Sequence, residues 1–322
     1  MGTEIAVAPG IRQISVPFPG PLRAVNAYLV EGSSGWALVD TGLHTEEGEQ
    51  ALRNGIRAAG IDLADVKQVF VTHVHPDHIG MAGTLAAAGA EVVMHGPEAE
   101  HARHLWAGPA LVNETHAWFT RHGMPLEVND AMRDTWLRVQ RRVDPLPAIT
   151  ELPDGSELDL GGRPLRVRWT PGHTDHHAVL IDEASEVLIA GDHVLPKITS
   201  NISLYSWSRD DPLGDFLGAL RALSALPIRR VLPAHGEPFD DLRGRVQELL
   251  EHHADRLVAV QEALGTAERD AYTVCRVLFP VLRSAYEERF ALAETLAHLR
   301  HLERAGKVRE VEGPPSRWRA IP

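Results

Sequence analysis

Thr72-His73-Val74-His75-Pro76-Asp77-His78-Ile79-Gly80 sets three imidazoles and a carboxylate within six consecutive positions, directly after the apolar run Val66-Lys67-Gln68-Val69-Phe70-Val71. A short run of that kind reads as a buried strand, so the polar cluster falls in the turn at its end. Neutral imidazole is the commonest ligand for zinc, and a carboxylate oxygen completes a nitrogen and oxygen set suited to borderline divalent cations. Packing four such side chains together without an ion would leave unpaired polar groups, each costing roughly 1–3 kcal/mol. The stretch is read as a metal site.

The chain that carries it has 322 residues, enough for one large core and a smaller second domain. A single cysteine, Cys275, rules out an internal disulfide framework and lies in an apolar, helix-like stretch as an inert core thiol. No basic leader with an apolar core opens the sequence, no segment is long and apolar enough to span a bilayer, and Ala6 stands where a myristoylation signal needs Ser or Thr. These features lead to the expectation of a cytoplasmic protein without a membrane partner, and they leave a homodimer open. The formal charge of −12 argues against nucleic acid as a partner, because binding a polyanion is driven by Lys and Arg. The acidic excess lies wholly before residue 245, and the remainder is balanced.

Outward from the cluster the pattern is mixed α/β. Ile11–Val16, Ala27–Gly32 and Trp36–Gly42 read as a β-meander, followed by a helix over about 46–59 and then the strand before His73. A helix over about 80–88, a strand at Glu91–His95 and a helix opened by Pro97 continue the series. Residues 97–146 interrupt it with a helical insertion bearing Trp106, Trp118, Phe119, Met124, Met132 and Trp136. These aromatics are read either as helix packing on the sheet or as a lid that touches substrate. The four histidines of the insertion, His101, His104, His116 and His122, show no ligand spacing and are read as surface or packing residues. Strands resume at Leu165–Trp169, Ala178–Ile181, Val187–Ala190 and Arg230–Leu232, with a helix over about 212–226 before the last. Near Arg243 the texture turns to nearly continuous helix and ends in a hairpin, which divides the chain into 1–244 and 245–322.

Three more strand ends, each with a glycine-bearing turn, supply ligand types: His173 in Thr170-Pro171-Gly172-His173-Thr174, Asp192 after Gly191, and His235 before Gly236. With His73, His75, Asp77 and His78 they make seven, the number two adjacent cations need when one carboxylate bridges them. Such a pair can share a hydroxide, since coordination lowers the pKa of bound water.

In order and spacing, Asp40-Thr41-Gly42, the histidine cluster, the Thr-Pro-Gly-His-Thr turn, Gly191-Asp192 and His235-Gly236 resemble the metallo-β-lactamase superfamily over about residues 10–240. The resemblance implies an αββα sandwich. It also implies that His73, His75 and His173 hold one metal, that Asp77, His78 and His235 hold the other, that Asp192 bridges, and that Asp40 supports the site without ligating. The implied cofactors are two divalent ions, zinc first, with manganese or iron as alternatives. Flavodiiron-type relatives look different in carrying a glutamate at the position matching His75, and the complete ligand set here favours hydrolysis. His193 is expected beside the site or at the surface, and His176 and His177 at its mouth. The C-terminal stretch, with its signature over Leu292–Val308, resembles the small winged-helix domain of some β-lactamase-like hydrolases: Leu292, Leu296, Leu299 and Leu302 lie on one helical stripe, capped by Gly306 and followed by a hairpin wing.

The function expected is hydrolysis of a small, largely apolar ester-type substrate (thioester, lactone or carboxylic ester) by a metal-bridging hydroxide. Asp77 is expected to double as the hydroxide's hydrogen-bond partner, and Tyr205 is a candidate donor to the developing oxyanion. The alternative is an endoribonuclease of the β-lactamase-like type, which the charge disfavours. A ligand-sensing regulator has no use for a complete catalytic set, and exported β-lactamases fit a chain without a leader poorly.

Overall fold

The structure is a computed structural model that describes residues 4–19 and 22–321. Its first sheet is built in chain order from β1 (Glu4–Ala8), β2 (Ile11–Pro17), β3 (Ala24–Gly32), β4 (Gly35–Val39), β5 (Val66–Val71), β6 (Glu91–His95) and β7 (Ile149–Leu152). The meander β1 to β4 is antiparallel, whereas β4 to β7 run parallel. A second sheet has the order β12 (Arg230–Pro233), β11 (Val187–Gly191), β10 (Ala178–Asp182), β9 (Arg163–Trp169), β8 (Glu157–Leu160).

Period-two alternation assigns the faces. On β5, Phe70 points between the sheets while Val69 and Val71 point out to the helices; on β11, Val187 and Ile189 point in while Leu188 and Ala190 point out. The inner layer joins Ile11, Tyr28 and Val39 to Leu165, Leu180 and Leu232. Outside the first sheet lie α1 (Glu46–Ala58), α2 (Pro76–Ile79), α3 (Ala82–Ala87) and α4 (Gly96–Trp106), contributing Leu52, Ile56, Ile79 and Leu85. The insertion continues through α5 (Ala110–Arg121) and α6 (Leu126–Gln140). Outside the second sheet lie α7 (Pro212–Ser224), α8 (Leu242–Leu264), α9 (Ala271–Leu278) and α10 (Ala285–Arg304), then a hairpin of β13 (Val308–Val311) and β14 (Arg317–Ala320). This is a mixed α/β arrangement with two sheets between helical layers.

Three details depart from the sequence reading. The strands β1, β7 and β8 have no counterpart in it; β7 and β8 are short, with polar exposed positions that hide their periodicity. Asp40 leaves the strand at a φ of +60°, because its carboxylate turns back to accept hydrogen bonds from Thr72 and His78. The helix expected over 80–88 begins two residues later as α3, and a separate turn of helix, α2, precedes it; at Gly80 between them a Cβ would stand 2.4 Å from Pro76 O and 2.5 Å from Gly42 O. Cys275 is fully buried, and burial pushes its thiol up to about 12, as suits an inert core residue. Among the described residues no helix is long and apolar enough to cross a membrane.

The helices after residue 244 do not form a core of their own. Leu249, Val260, Leu292, Leu296 and Leu299 join one continuous cluster with Phe119 and Met132 of the insertion, Leu213 and Phe216 of α7, and Val179 and Val231 of the second sheet. Hydrogen bonds fasten the same contact: Tyr272 N donates to His122 O and Ser316 N to Arg121 O.

Candidate metal centre

Strands β4, β5, β9, β11 and β12 all end at one edge of the two sheets, and there they deliver Asp40, the His73–His78 loop, His173, Asp192 and His235. Glycines fix two of the turns. At Gly172 (φ +132°) a Cβ would lie 2.4 Å from Phe216 Cβ, and at Gly191 (φ +49°) 2.6 Å from His177 Nε2.

The seven expected ligands gather into two groups that adjoin. His73 Nε2 and His173 Nε2 each lie 2.9 Å from His75 Nδ1, and His173 Nε2 lies 3.3 Å from Asp192 Oδ2. In the second group His235 Nε2 is 3.3 Å and His78 Nε2 3.8 Å from Asp77 Oδ2. Asp192 faces both groups, with Oδ1 3.5 Å from His235 Nε2 and Oδ2 3.6 Å from His78 Nε2. Within each group the donor atoms all lie within 4.8 Å of one another.

The donor chemistry fits divalent cations. The outward nitrogens are tied to acceptors, which fixes the tautomer and turns the other nitrogen's lone pair inward. His78 Nδ1 donates to Asp40 Oδ2 (2.8 Å), His173 Nδ1 to Asn201 O (2.9 Å) and His235 Nδ1 to Ala24 O (2.7 Å). His73 Nδ1 sits 3.0 Å from Thr72 Oγ1, whose own hydrogen goes to Asp40. The inward atoms His78 Nε2, His235 Nε2 and Asp192 Oδ1 are buried with no aligned hydrogen-bond partner, although carboxylates stand 3.3–3.8 Å from the two nitrogens. They converge on shared points rather than on each other.

Electrostatics agrees. Burial, then the neighbouring imidazoles, holds His73 and His75 well below the usual range, so both are neutral and ligand-ready. Burial also opposes charge on His78 and His235, but the nearby carboxylates outweigh it: Asp40, Asp192 and Asp77 raise His78, and Asp192 and Asp77 carry His235 to about 9. Burial likewise works against ionised Asp77 and Asp192, yet the facing imidazoles keep both below the normal carboxylate range. Three buried carboxylates, Asp40, Asp77 and Asp192, demand positive charge here, and divalent cations would meet that demand with the rings neutral.

A sequence profile described as "Metallo-beta-lactamase superfamily" matches residues 20–235, two thirds of the chain, and one described as "Metallo-beta-lactamase-like, C-terminal domain" matches residues 257–320. The chain belongs to the metallo-β-lactamase superfamily. It is 29% identical over 314 residues to "Probable metallo-hydrolase YqjP" of Bacillus subtilis, covering 94% of this chain and 93% of that protein. A crystal structure of a metallo-β-lactamase family protein from Thermus thermophilus superposes with a TM-score of 0.89 at 38% identity, covering 98% of this chain and all of the other. The chain is also 30% identical to "Acyl-coenzyme A thioesterase MBLAC2" of Homo sapiens over 71% of its own length and 79% of that protein. As a superfamily member with its divalent-metal donor set in place, the protein is a metal-dependent hydrolase.

Around this metallo-β-lactamase centre several side chains have roles that the sequence reading did not assign. Glu98, at the start of α4 and fully buried, accepts from Val74 N (2.9 Å) and Thr174 Oγ1 (2.8 Å), joining the His73–His75 loop to the His173 turn; burial pushes its carboxyl up to about 7. An acidic residue in a helix's first turn is too ordinary for that role to be read from sequence. His177, expected at the mouth, is instead fully buried behind the site, where its Nε2 accepts from Asp192 N at 3.3 Å and its Nδ1 meets Thr170 Oγ1. The start of β10 turns it inward and leaves the adjacent His176 half-buried beside His95 and Trp169. His193 is fully buried against Phe216 and does not reach the ligand groups.

Next to His75 and His173 opens a cavity of about 40 Å³, walled by Trp136, Tyr205, Trp207 and Arg289. Tyr205 lies there, stacked on Trp207 at 4.9 Å. Of the insertion's aromatics, Trp136 lines the cavity. Trp106 stacks behind it and donates to Val74 O, Trp118 donates to Leu204 O, and Phe119 is wholly inside the core. His101 and Leu105 of α4 also line the cavity.

Proposed function

We propose that the protein is a dinuclear metal-dependent hydrolase of small ester-type substrates, thioesters first, with lactones and carboxylic esters as the neighbouring classes. The observation that carries this reading is the shared carboxylate: Asp192 addresses both donor groups from one side chain, directly beside a walled cavity. In the proposed assignment His73, His75 and His173 would hold one ion, Asp77, His78 and His235 would hold the other, and Asp192 would serve both. Zinc is the proposed metal, with manganese and iron as the alternatives that metal analysis would reveal. Bound divalent cations supply Lewis acidity and a water activated near neutral pH. Asp77 also orients that attacking water, and Tyr205 donates a hydrogen bond to the oxygen on which negative charge develops.

The thioester preference draws on the relative named as an acyl-coenzyme A thioesterase, at 30% identity. We propose a division at residue 244, with the later residues forming a winged-helix-like unit that walls and gates the cavity while sharing its apolar core with the insertion and the second sheet. Truncation after Gly244 is expected to leave a metal-binding core with a markedly lower Tm, because it bares Phe119, Met132 and Phe216. A metal-free truncation would refute the division.

The test of the function is hydrolysis of acyl thioesters, lactones, carboxylic esters and RNA by protein loaded with zinc or manganese. Turnover of at least one small ester class, lost in His78→Ala, is expected. RNA cleavage without ester hydrolysis would overturn the reading in favour of a nuclease.

A further inference from the structure

Arg289 enters the cavity from α10, outside the stretch that supplies the ligands. It is 7% exposed. Its guanidinium carbon lies 4.3 Å from the ring centre of Trp136, 5.2 Å from Phe290 and 5.3 Å from Tyr205. Three aromatic faces thus hold the group in place, and none of them neutralises it. Among the described residues no carboxylate pairs with it, and its Nε is buried without an acceptor. The acidic neighbours on its own helix are engaged elsewhere: Glu288 with Tyr272 and Arg276, Glu287 with the backbone of Arg283. Buried charges are ordinarily paired, because an unpaired one keeps the full cost of desolvation. A guanidinium held by aromatic faces and without a carboxylate partner leaves N–H donors available to an anion in the cavity, whose one lining carboxylate, Asp175, accepts from the Arg209 backbone N–H.

We infer that Arg289 binds a carboxylate carried on the acyl part of the substrate, so that the preferred substrates are acidic acyl esters or thioesters rather than wholly apolar ones. This rests on the reading of the neighbouring centre as an ester-type hydrolase. The guanidinium offers parallel N–H donors that match a carboxylate's two oxygens. The space beside Arg289, about 40 Å³, is enough for a carboxylate. The cavity's place beside His75 and His173 puts such a carboxylate close to the reacting carbonyl, on a short acyl chain. A carrier phosphate would have to enter the same small space and is the rival anion for the site.

The deciding experiment uses the metal-loaded full chain and paired substrates: glutaryl and pentanoyl thioesters, each on coenzyme A and on uncharged N-acetylcysteamine. The wild type is expected to favour glutaryl over pentanoyl by about 10- to 100-fold in kcat/KM on both carriers, the range of a charge-assisted hydrogen-bonded pair. Arg289→Met, which keeps an apolar body against Trp136, should bring that ratio to within about threefold, mostly through KM, and Arg289→Lys should restore part of it. Calorimetry with glutarate gives a second readout, with binding to the wild type weakened at least tenfold in Arg289→Met. Should no ester be turned over while glutarate still binds through Arg289, the hydrolase reading fails and the anion site stands. A glutaryl preference that survives in Arg289→Met, an effect of Arg289 that follows the carrier rather than the acyl group, or glutarate binding indifferent to the substitution would each overturn the inference.

Discussion

The floor and the wall of the catalytic cavity are built in opposite ways. The floor comes from strand ends: four of its seven proposed ligands lie within residues 73–78, and the other three each follow a strand of the second sheet. Most of them carry local support, a glycine turn or an acceptor for the outer ring nitrogen. The wall comes from segments far apart in sequence, with Trp136 on α6, Tyr205 and Trp207 in the loop before α7, and Arg289 on α10. Its geometry depends on a core spread over the insertion, the second sheet and the C-terminal helices. The two surfaces nevertheless touch. Asn201, whose carbonyl accepts from His173, donates its side-chain amide to Glu294 Oε2 and Phe290 O of α10. A chemistry fixed by the floor can in this way be matched to substrate by a wall that belongs to another part of the chain.

The strongest challenge to this contrast lies at the shared carboxylate. Asp192→Ala should reduce kcat by about a thousandfold or more, the equivalent of roughly 4 kcal/mol of transition-state stabilisation, and lower the metal content of the purified protein. Full turnover with two ions retained would show that the floor is not the catalytic part. Tyr205→Phe addresses the wall: kcat should fall about a hundredfold with KM little changed, as for loss of one oxyanion donor. A change confined to KM would reduce the wall to a binding surface.

Smaller effects refine the picture. Asp40→Asn removes the charged acceptor of His78 Nδ1 and should weaken metal affinity by about 10- to 100-fold in a chelator competition. Unaltered affinity would mean that the strained turn at Asp40 serves the fold alone. The smallest effect lies behind the wall, where His253 Nδ1 and His298 Nε2 are 3.2 Å apart. Burial, then each other's charge and that of neighbouring basic groups, brings His253 down to about 3; burial above all brings His298 down to about 4. The unfolded chain takes up these protons near pH 6.5 and the folded one does not, so stability is complete above that pH and declines as pH falls toward 4. Thermal unfolding at pH 5 should show a loss of roughly 1–2 kcal/mol for each ring relative to pH 7.5. His253→Phe should flatten that dependence, and an equally steep one in the variant would place the acid sensitivity elsewhere.

The residues that gather at the candidate centre could be read from the chain alone. A strand period that ends in His-x-His-x-Asp-His, and glycine turns that tolerate no Cβ, are local properties, and a metal site needs a set of donors that few other roles would require together. The parallel and antiparallel strands flanking those ligands were legible for the same reason: their inner and outer faces are both apolar, so the runs are unmistakable. What surrounds the ligands came from packing and from nothing earlier. Glu98 looks like any acid in a first helical turn, and His177 looks like a loop histidine beside His176. Arg289 looks like one more exposed cation on an amphipathic helix. Their roles come from contacts across 76 positions from Glu98 to Thr174, 15 from His177 to Asp192, and more than 80 from Arg289 to the Trp136 and Tyr205 rings. No periodicity records such distances, because burial and unpaired charge are properties of the packed chain rather than of any one segment.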